Sequence, residues 1–274
     1  MEPLATAEKR ILLQLQEAER VFCFLDYDGT LAPLAPTPDQ ALPLPGTPAL
    51  LRALSVLPDT RIAVVSGRPI AAIRLFLDIP GAYYVGIHGL EVCIPGGTTE
   101  LTADVASVQA FLPEIRGQLE QSLAGLPGVL IEDKGAAVAC HYRLASPADA
   151  LLVRHTSATV ADAYQRKGLP IRLTHGHKVM EIRPTAVNKG RTVCRILAAY
   201  GPSVLAVYIG DDQTDEDAFA LLPAESITIQ VGFSSVRTAA RYGLEDPGEV
   251  QRFLAAMIRR RRRRGQAMIP ASEG

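Results

Sequence analysis

Three short apolar runs in this chain stop on polar residues in the same manner: 21–25 on DYD, 61–65 on SGR and 204–209 on GDD. Such short, largely apolar runs read as buried strands, and helix-like segments at 47–57, 70–77 and after 212 separate them. Two further strands are expected at 83–87 and 227–231, with helices from there to the end. Strands alternating with helices predict an α/β fold built on a doubly wound, Rossmann-like parallel sheet. In such sheets ligands bind outside the carboxyl ends of the strands. The three polar stops therefore converge on one rim.

The middle of the chain breaks this rhythm. Residues 97–184 read as a helix (102–123), strands at 129–132 and 136–143, a helix (147–166) and two strands around HGHK. Paired strands with short turns indicate an antiparallel α+β module. The expected organisation is a discontinuous core, 1–96 and 185–274, carrying an inserted cap, 97–184. PGG at 95–97 is the expected entry hinge, and RPTAVNKG at 183–190 the exit.

Composition narrows the class. With 48% hydrophobic and 21% charged residues and a net charge of −1, the 274-residue chain fits a globular protein whose overall field favours neither nucleic acid nor a membrane surface. No signal peptide or membrane-length apolar run is read, so a cytoplasmic location and no membrane partner are expected. The four cysteines are widely spaced, without CxxC, and are expected as buried reduced thiols. The run RRRRRR at 259–264 is expected as the solvated, fraying end of a terminal helix, since cations are favourable there. GQAMIPASEG after it is expected to be disordered. No nucleic-acid partner is expected, and a monomer is.

The carboxylates carry the chemistry. Clustered like charges raise one another's pKa unless something offsets them, and hard oxygen ligands without Cys or His favour Mg²⁺. DYDG does not follow the EF-hand pattern, and the twelfth position from Asp26 is Thr37, not Glu. Blander readings stand beside this one. Asp215, Glu216 and Asp217 suit the N-terminus of a helix capped by Thr214 or Asp215. Ser66-Gly67 suits a strand-to-helix turn, and Lys189 an exposed helix start. Four such pieces in this order are harder to explain as architecture.

DYDGT, VVSGR, NKG and GDDQTDED together resemble the four motifs of the haloacid dehalogenase superfamily of phosphotransferases. VGIHGLE, EDKGAAVACHYR, KVMEIRP and NKG are similar to the branch of trehalose-6-phosphate phosphatases. The resemblance implies that Asp26 is the nucleophile and Asp28 the general acid and base. It implies that Ser66 and Lys189 hold phosphate oxygens. Asp26, the Asp28 carbonyl, Asp211 and Asp215 would hold Mg²⁺, while Gly29 allows a tight turn and the Thr30 hydroxyl orients Asp28.

Substrate choice is expected in the cap. Glu132 and Lys134 alternate onto one strand face, and His141 and Arg143 onto that of the next; for this second pair a merely solvent-facing role stands open. Lys178 and Glu181 lie on the strand leading out. The resemblance makes Glu132, Lys134, Lys178 and Glu181 sugar-hydroxyl contacts. Arg68 and His88 are expected to meet the sugar or the hinge, and His155, His175 and His177 to be incidental. The function implied is hydrolysis of a small-molecule sugar phosphate, trehalose 6-phosphate. Alternatives are sucrose 6-phosphate, a mannosyl- or glucosyl-3-phosphoglycerate, or a silent sugar-phosphate sensor, which would be expected to lose Asp26 or Asp28.

Overall fold

The computed structural model describes residues 1–103, 105–232 and 237–267. The core begins with β1 (Glu2–Pro3), α1 (Leu4–Glu17), β2 (Arg20–Asp26), α2 (Thr47–Ser55), β3 (Thr60–Val65), α3 (Ile70–Phe76), β4 (Tyr83–Gly86), β5 (Glu91–Cys93) and β6 (Thr99–Leu101). Next come α4 (Ala106–Gln109), α5 (Leu112–Ser122), β7 (Leu130–Asp133), β8 (Val138–His141), α6 (Pro147–Arg166), β9 (Ile171–Gly176) and β10 (Val179–Pro184). The chain then adds α7 (Lys189–Tyr200), β11 (Val204–Gly210), α8 (Gln213–Leu221), β12 (Ile227–Val231), β13 (Tyr242–Leu244) and α9 (Pro247–Ala267).

Among the described residues one sheet runs in the order β1-β13-β12-β11-β2-β3-β4-β5-β6, parallel except at β5 and β6. Strand β2 is central because both of its faces are apolar. Val21, Cys23 and Leu25 pack with residues of α1, α2, α3 and α9, and Phe22 and Phe24 with residues of α7 and α8. Burying each phenylalanine contributes about 2–3 kcal/mol. Chain order reverses at β2, with β3 on one side and β11 on the other. A crevice at the carboxyl ends follows from that reversal.

The second sheet, β7-β8-β10-β9, is antiparallel. Its apolar face, including Val138, Cys140, Met180 and Ile182, packs with residues of α5 and α6. Two-residue alternation turns Glu181 the other way, and Glu132 and Glu181 stand level with Ala139 from either side.

Several expectations are corrected. PGG is not an entry hinge but the turn of the β5–β6 hairpin, with Gly96 at φ 74. Thr99–Leu101 thus belongs to the core sheet, so the excursion begins after it. The helix expected at 102–123 is two helices, because Pro113 opens α5, where its missing N–H costs nothing. Helix α1, the hairpin and β13 were not read from the sequence.

The arginine run is not simply solvated. Arg261 is 5% exposed. Its guanidinium donates to the carbonyls of Leu15, Ala18, Glu19 and Asp59 and to Thr60 Oγ1. Arg264 donates to the Glu17 carbonyl. The last carbonyls of a helix have no partners within it, and here the α9 arginines supply them to α1. Helix α9 continues through 265–267, and the rest of the expected disordered tail, 268–274, lies outside the described residues.

Candidate active site

Asp26 ends β2, and Asp211 follows β11 at the same rim. Lys189 Nζ lies 2.6 Å from Asp26 Oδ1 and 2.9 Å from Asp215 Oδ1. The placement of this lysine is local. Asn188 caps α7 by accepting from Arg191 N, and Gly190 has no side chain to strike the Asp217 carbonyl of α8. Burial works against the Lys189 ammonium, but Asp215 and Asp26 outweigh it and raise its pKa. Burial drives the Asp26 carboxyl well above the usual range; Lys189 opposes this, and Asp215 and Asp211 add to it.

Asp215 is wholly buried and fully bonded. Its Oδ1 accepts from Lys189 and from Tyr208 OH (2.7 Å), and its Oδ2 from the backbone amides of Asp211 (3.1 Å) and Asp212 (3.0 Å). The N-cap of α8 is Asp212, with Asp215 completing a capping box, rather than Thr214 or Asp215. Asp211 differs. Burial, opposed by His177, pushes it up to about 6, and its Oδ1 is buried without a partner.

Ligand atoms of Asp26, Asp211 and Asp215 lie within 4.8 Å of one another. With all three ionised, Lys189 charged and the His177 imidazole, raised to about 9 by its contact with Asp211, protonated, one negative charge is left over. That surplus, the orphaned Asp211 oxygen and an all-oxygen donor set fit a hard divalent cation.

Asp28 is clamped by Arg68, whose Nε and terminal nitrogen donate to its two oxygens at 2.8 and 2.6 Å. The guanidinium lies 5.1 Å from the Tyr27 ring centroid. Arg68 therefore meets a carboxylate, where a sugar or the hinge had been expected. Ser66 is buried, its Oγ accepting from Arg68 N at 3.1 Å. Thr30 does not orient Asp28: its side chain is fully buried, and its Oγ1 has no partner.

The cap residues line the opposite wall of the cleft. Glu181, 4% exposed, pairs with Lys134 at 2.6 Å and with His88 Nε2 at 3.0 Å. Burial works to raise its carboxyl; His88 and Lys134 outweigh burial and hold it well below the usual range. Burial pushes His88 down to about 4, so the imidazole beside Glu181 is neutral. His88 reaches this position from a left-handed backbone (φ 52), packed on Gly67, where a Cβ would stand 2.5 Å from the ring. Glu132 accepts from His141 at 2.8 Å. Lys178 lines the cleft from the β9–β10 turn, at φ 60, not from the strand.

Two contacts had no local signal. His177, in that turn, lies 3.2 Å from Asp211 Oδ2, so it is not incidental. Arg143 donates to the His177 carbonyl at 2.9 Å and to the Ala35 carbonyl in the core loop. Its guanidinium joins cap to core. Leu34 to Pro38 of that loop complete the wall.

The trehalose-phosphatase family model matches residues 24–247. A trehalose-phosphate phosphatase of Mycobacterium marinum is 36% identical over 84% of this chain and 59% of its own length. A probable trehalose-phosphate phosphatase of rice, Oryza sativa subsp. japonica, is 32% identical over 92% of this chain and 72% of its own. The chain thus spans well under two thirds of the mycobacterial relative. In fold, it is similar to the C-terminal domain of a Candida albicans trehalose-6-phosphate phosphatase. That match has a TM-score of 0.83 at 24% identity and covers 91% of this chain and 96% of the other.

Proposed function

This chain belongs to the trehalose-phosphatase family, and from that premise we propose that it hydrolyses trehalose 6-phosphate to trehalose and phosphate. The observation that carries the reading is the pairing of Asp26 and Asp28 at the end of β2, with Lys189 on the first and Arg68 on the second. A carboxylate beside a buried lysine attacks phosphorus, and the P–O bond to the sugar breaks as an aspartyl-phosphate forms on Asp26. Asp28 gives its proton to the departing sugar oxygen. It then takes a proton from the water that attacks the aspartyl-phosphate, which releases phosphate and restores Asp26. Asp28 leaves the Arg68 clamp as it takes up its first proton from solvent, and the proton gained from the attacking water returns to solvent when the clamp re-forms.

Lys189 and Ser66 hold phosphoryl oxygens. Bound Mg²⁺, held by Asp26, the Asp28 carbonyl and Asp211 with Asp215 behind, would offset the carboxylates' charge and polarise the phosphoryl group. Glu132, Lys134, Lys178 and Glu181 face the sugar hydroxyls. Among the described residues no helix is long and apolar enough to cross a membrane.

The test is phosphate release from a panel of sugar phosphates with and without Mg²⁺. Trehalose 6-phosphate should be turned over best, and EDTA should silence the reaction. Faster release from sucrose 6-phosphate or a glycosyl-3-phosphoglycerate would move the substrate. No release from any of them would make the chain a sensor.

A further inference from the structure

His177 is a cap residue that touches the core at one carboxylate. Its Nε2 lies 3.2 Å from Asp211 Oδ2, while the other oxygen of that carboxylate, Oδ1, is buried and unpartnered. The two oxygens of Asp211 are thus unlike: Oδ2 meets the cap, and Oδ1 is buried without a partner on a residue that clusters with Asp26 and Asp215. Gly29, at φ 83, confines the same carboxylate from the core side, since a Cβ there would collide with it.

The hairpin tip that carries His177 is itself fixed. Arg143 grips the His177 carbonyl and the Ala35 carbonyl of the core loop. Gly176 lets the turn settle on the neighbouring carboxylate, because a Cβ would come within 2.9 Å of Asp212 Oδ2. The two Arg143 contacts and the close approach at Gly176 fix the turn that carries the imidazole to Asp211.

We infer that His177 is a positioning residue for the cation site: it holds Asp211 Oδ2 so that Oδ1 faces the metal, and it thereby couples cap closure to metal affinity. The inference rests on the reading that the carboxylate cluster holds a divalent cation. Groups that hydrogen-bond a metal-ligating carboxylate from behind strengthen binding by about 10–100-fold. Linkage makes the coupling reciprocal: the metal must tighten the His177 contact by the same factor by which the contact tightens the metal.

The experiment uses the full chain, stripped with EDTA and titrated with Mg²⁺ alone in a calorimeter. His177→Ala should weaken Mg²⁺ binding by about 10-fold or more. His177→Gln, whose amide N–H reaches the same carboxylate oxygen, should recover most of the loss. His175→Ala, on the exposed flank of the same hairpin, should change nothing. Hydrogen exchange supplies the reciprocal reading: Mg²⁺ should slow exchange of the amides at 174–179 in the unsubstituted chain and not in His177→Ala.

Unchanged or tighter Mg²⁺ binding in a folded His177→Ala protein overturns the inference, tighter binding marking His177 as a competitor of the cation. Failure of the unsubstituted chain to bind Mg²⁺ overturns it as well. The titrations contain no sugar phosphate, so an error in the proposed substrate would surface in the phosphate-release panel and leave these affinities where they are.

Discussion

The two walls of the cleft are both rich in carboxylates, yet their charges are balanced in opposite ways. On the core wall Asp26 and Asp215 share a single Lys189, Asp211 stands beside them, and burial drives Asp26 upward. On the cap wall Glu181 has Lys134 and His88, and Glu132 has His141. The core wall is short of positive charge, which suits a cation and a phosphoryl group. On the cap wall each carboxylate already has its own partner, with Lys178 and Arg143 beside them, so it presents fixed hydrogen-bonding groups that suit the hydroxyls of a sugar. A site for a sugar phosphate needs both, side by side.

The largest effect expected falls on the core wall. Asp26→Asn should abolish phosphate release, because an amide cannot form the acyl-phosphate. Turnover above a trace, measured with every substrate of the panel, would remove Asp26 as nucleophile. Asp28→Asn should cost about 10²–10⁴-fold on trehalose 6-phosphate. The deficit should shrink on para-nitrophenyl phosphate, whose leaving group scarcely needs a proton. Equal deficits in the first chemical step would assign Asp28 to holding the site instead.

The cap wall should behave the other way. Glu181→Ala would strand a buried lysine, so Glu181→Gln is the cleaner probe. It and Glu132→Ala should lower kcat/KM for trehalose 6-phosphate by roughly 10-fold to a few hundred-fold and leave para-nitrophenyl phosphate nearly unchanged. Losses of the same size on both would show that these residues serve folding or closure, and the contrast between the walls would collapse.

His88 extends the comparison to pH. Its folded pKa, about 4, lies below the unfolded 6.5. Its contribution to stability is therefore complete above pH 6.5 and is lost as the pH falls toward 4, about 2 kcal/mol being gone by pH 5. Glu181, Lys134 and Arg183 are the charges that act on it. Denaturant unfolding of His88→Asn at pH 7 and pH 5 should show a correspondingly smaller difference than the unsubstituted chain. An unchanged difference would mean that the imidazole is protonated in the fold.

The smallest effect on catalysis belongs to the far end of the molecule. Arg261→Ala should leave the ratio of activities on the two substrates unchanged. It should lower stability by about 3 kcal/mol, by stripping buried carbonyls of their donor. Arg262→Ala, one residue on and exposed, should do almost nothing. If the two variants melt alike, Arg261 is not the staple between α9 and α1.

The catalytic rim was legible because its signals are local. An apolar strand must be followed by its own next residues, and parallel pairing aligns strand ends: Leu25 stands level with Ile209, and Asp26 with Val65. The chain could thus be read to bring Asp26, Asp28 and Asp211 together before any coordinates. Helix α1 was legible too, from Leu4, Ala7, Ile11 and Leu15 at helical spacing, but went unread. Strand β13 was not, because three residues carry no periodicity.

Partners distant in sequence are another matter. That Arg68 clamps Asp28 follows from β2 and β3 lying side by side, while His177 reaching Asp211 and Arg143 tying Ala35 to the hairpin follow from how cap and core lie together. Six identical letters at 259–264 include a buried staple, Arg261, and exposed neighbours at 259, 262 and 263. Composition alone cannot rank them, since the helical turn decides which arginine meets the open carbonyls of α1. The sequence by itself determined which groups carry the charge and the chemistry, because residue type and strand direction are local properties. Tertiary structure alone decided which charges are neutralised and which stay open, because a charge is offset only by what lies within a few ångströms of it.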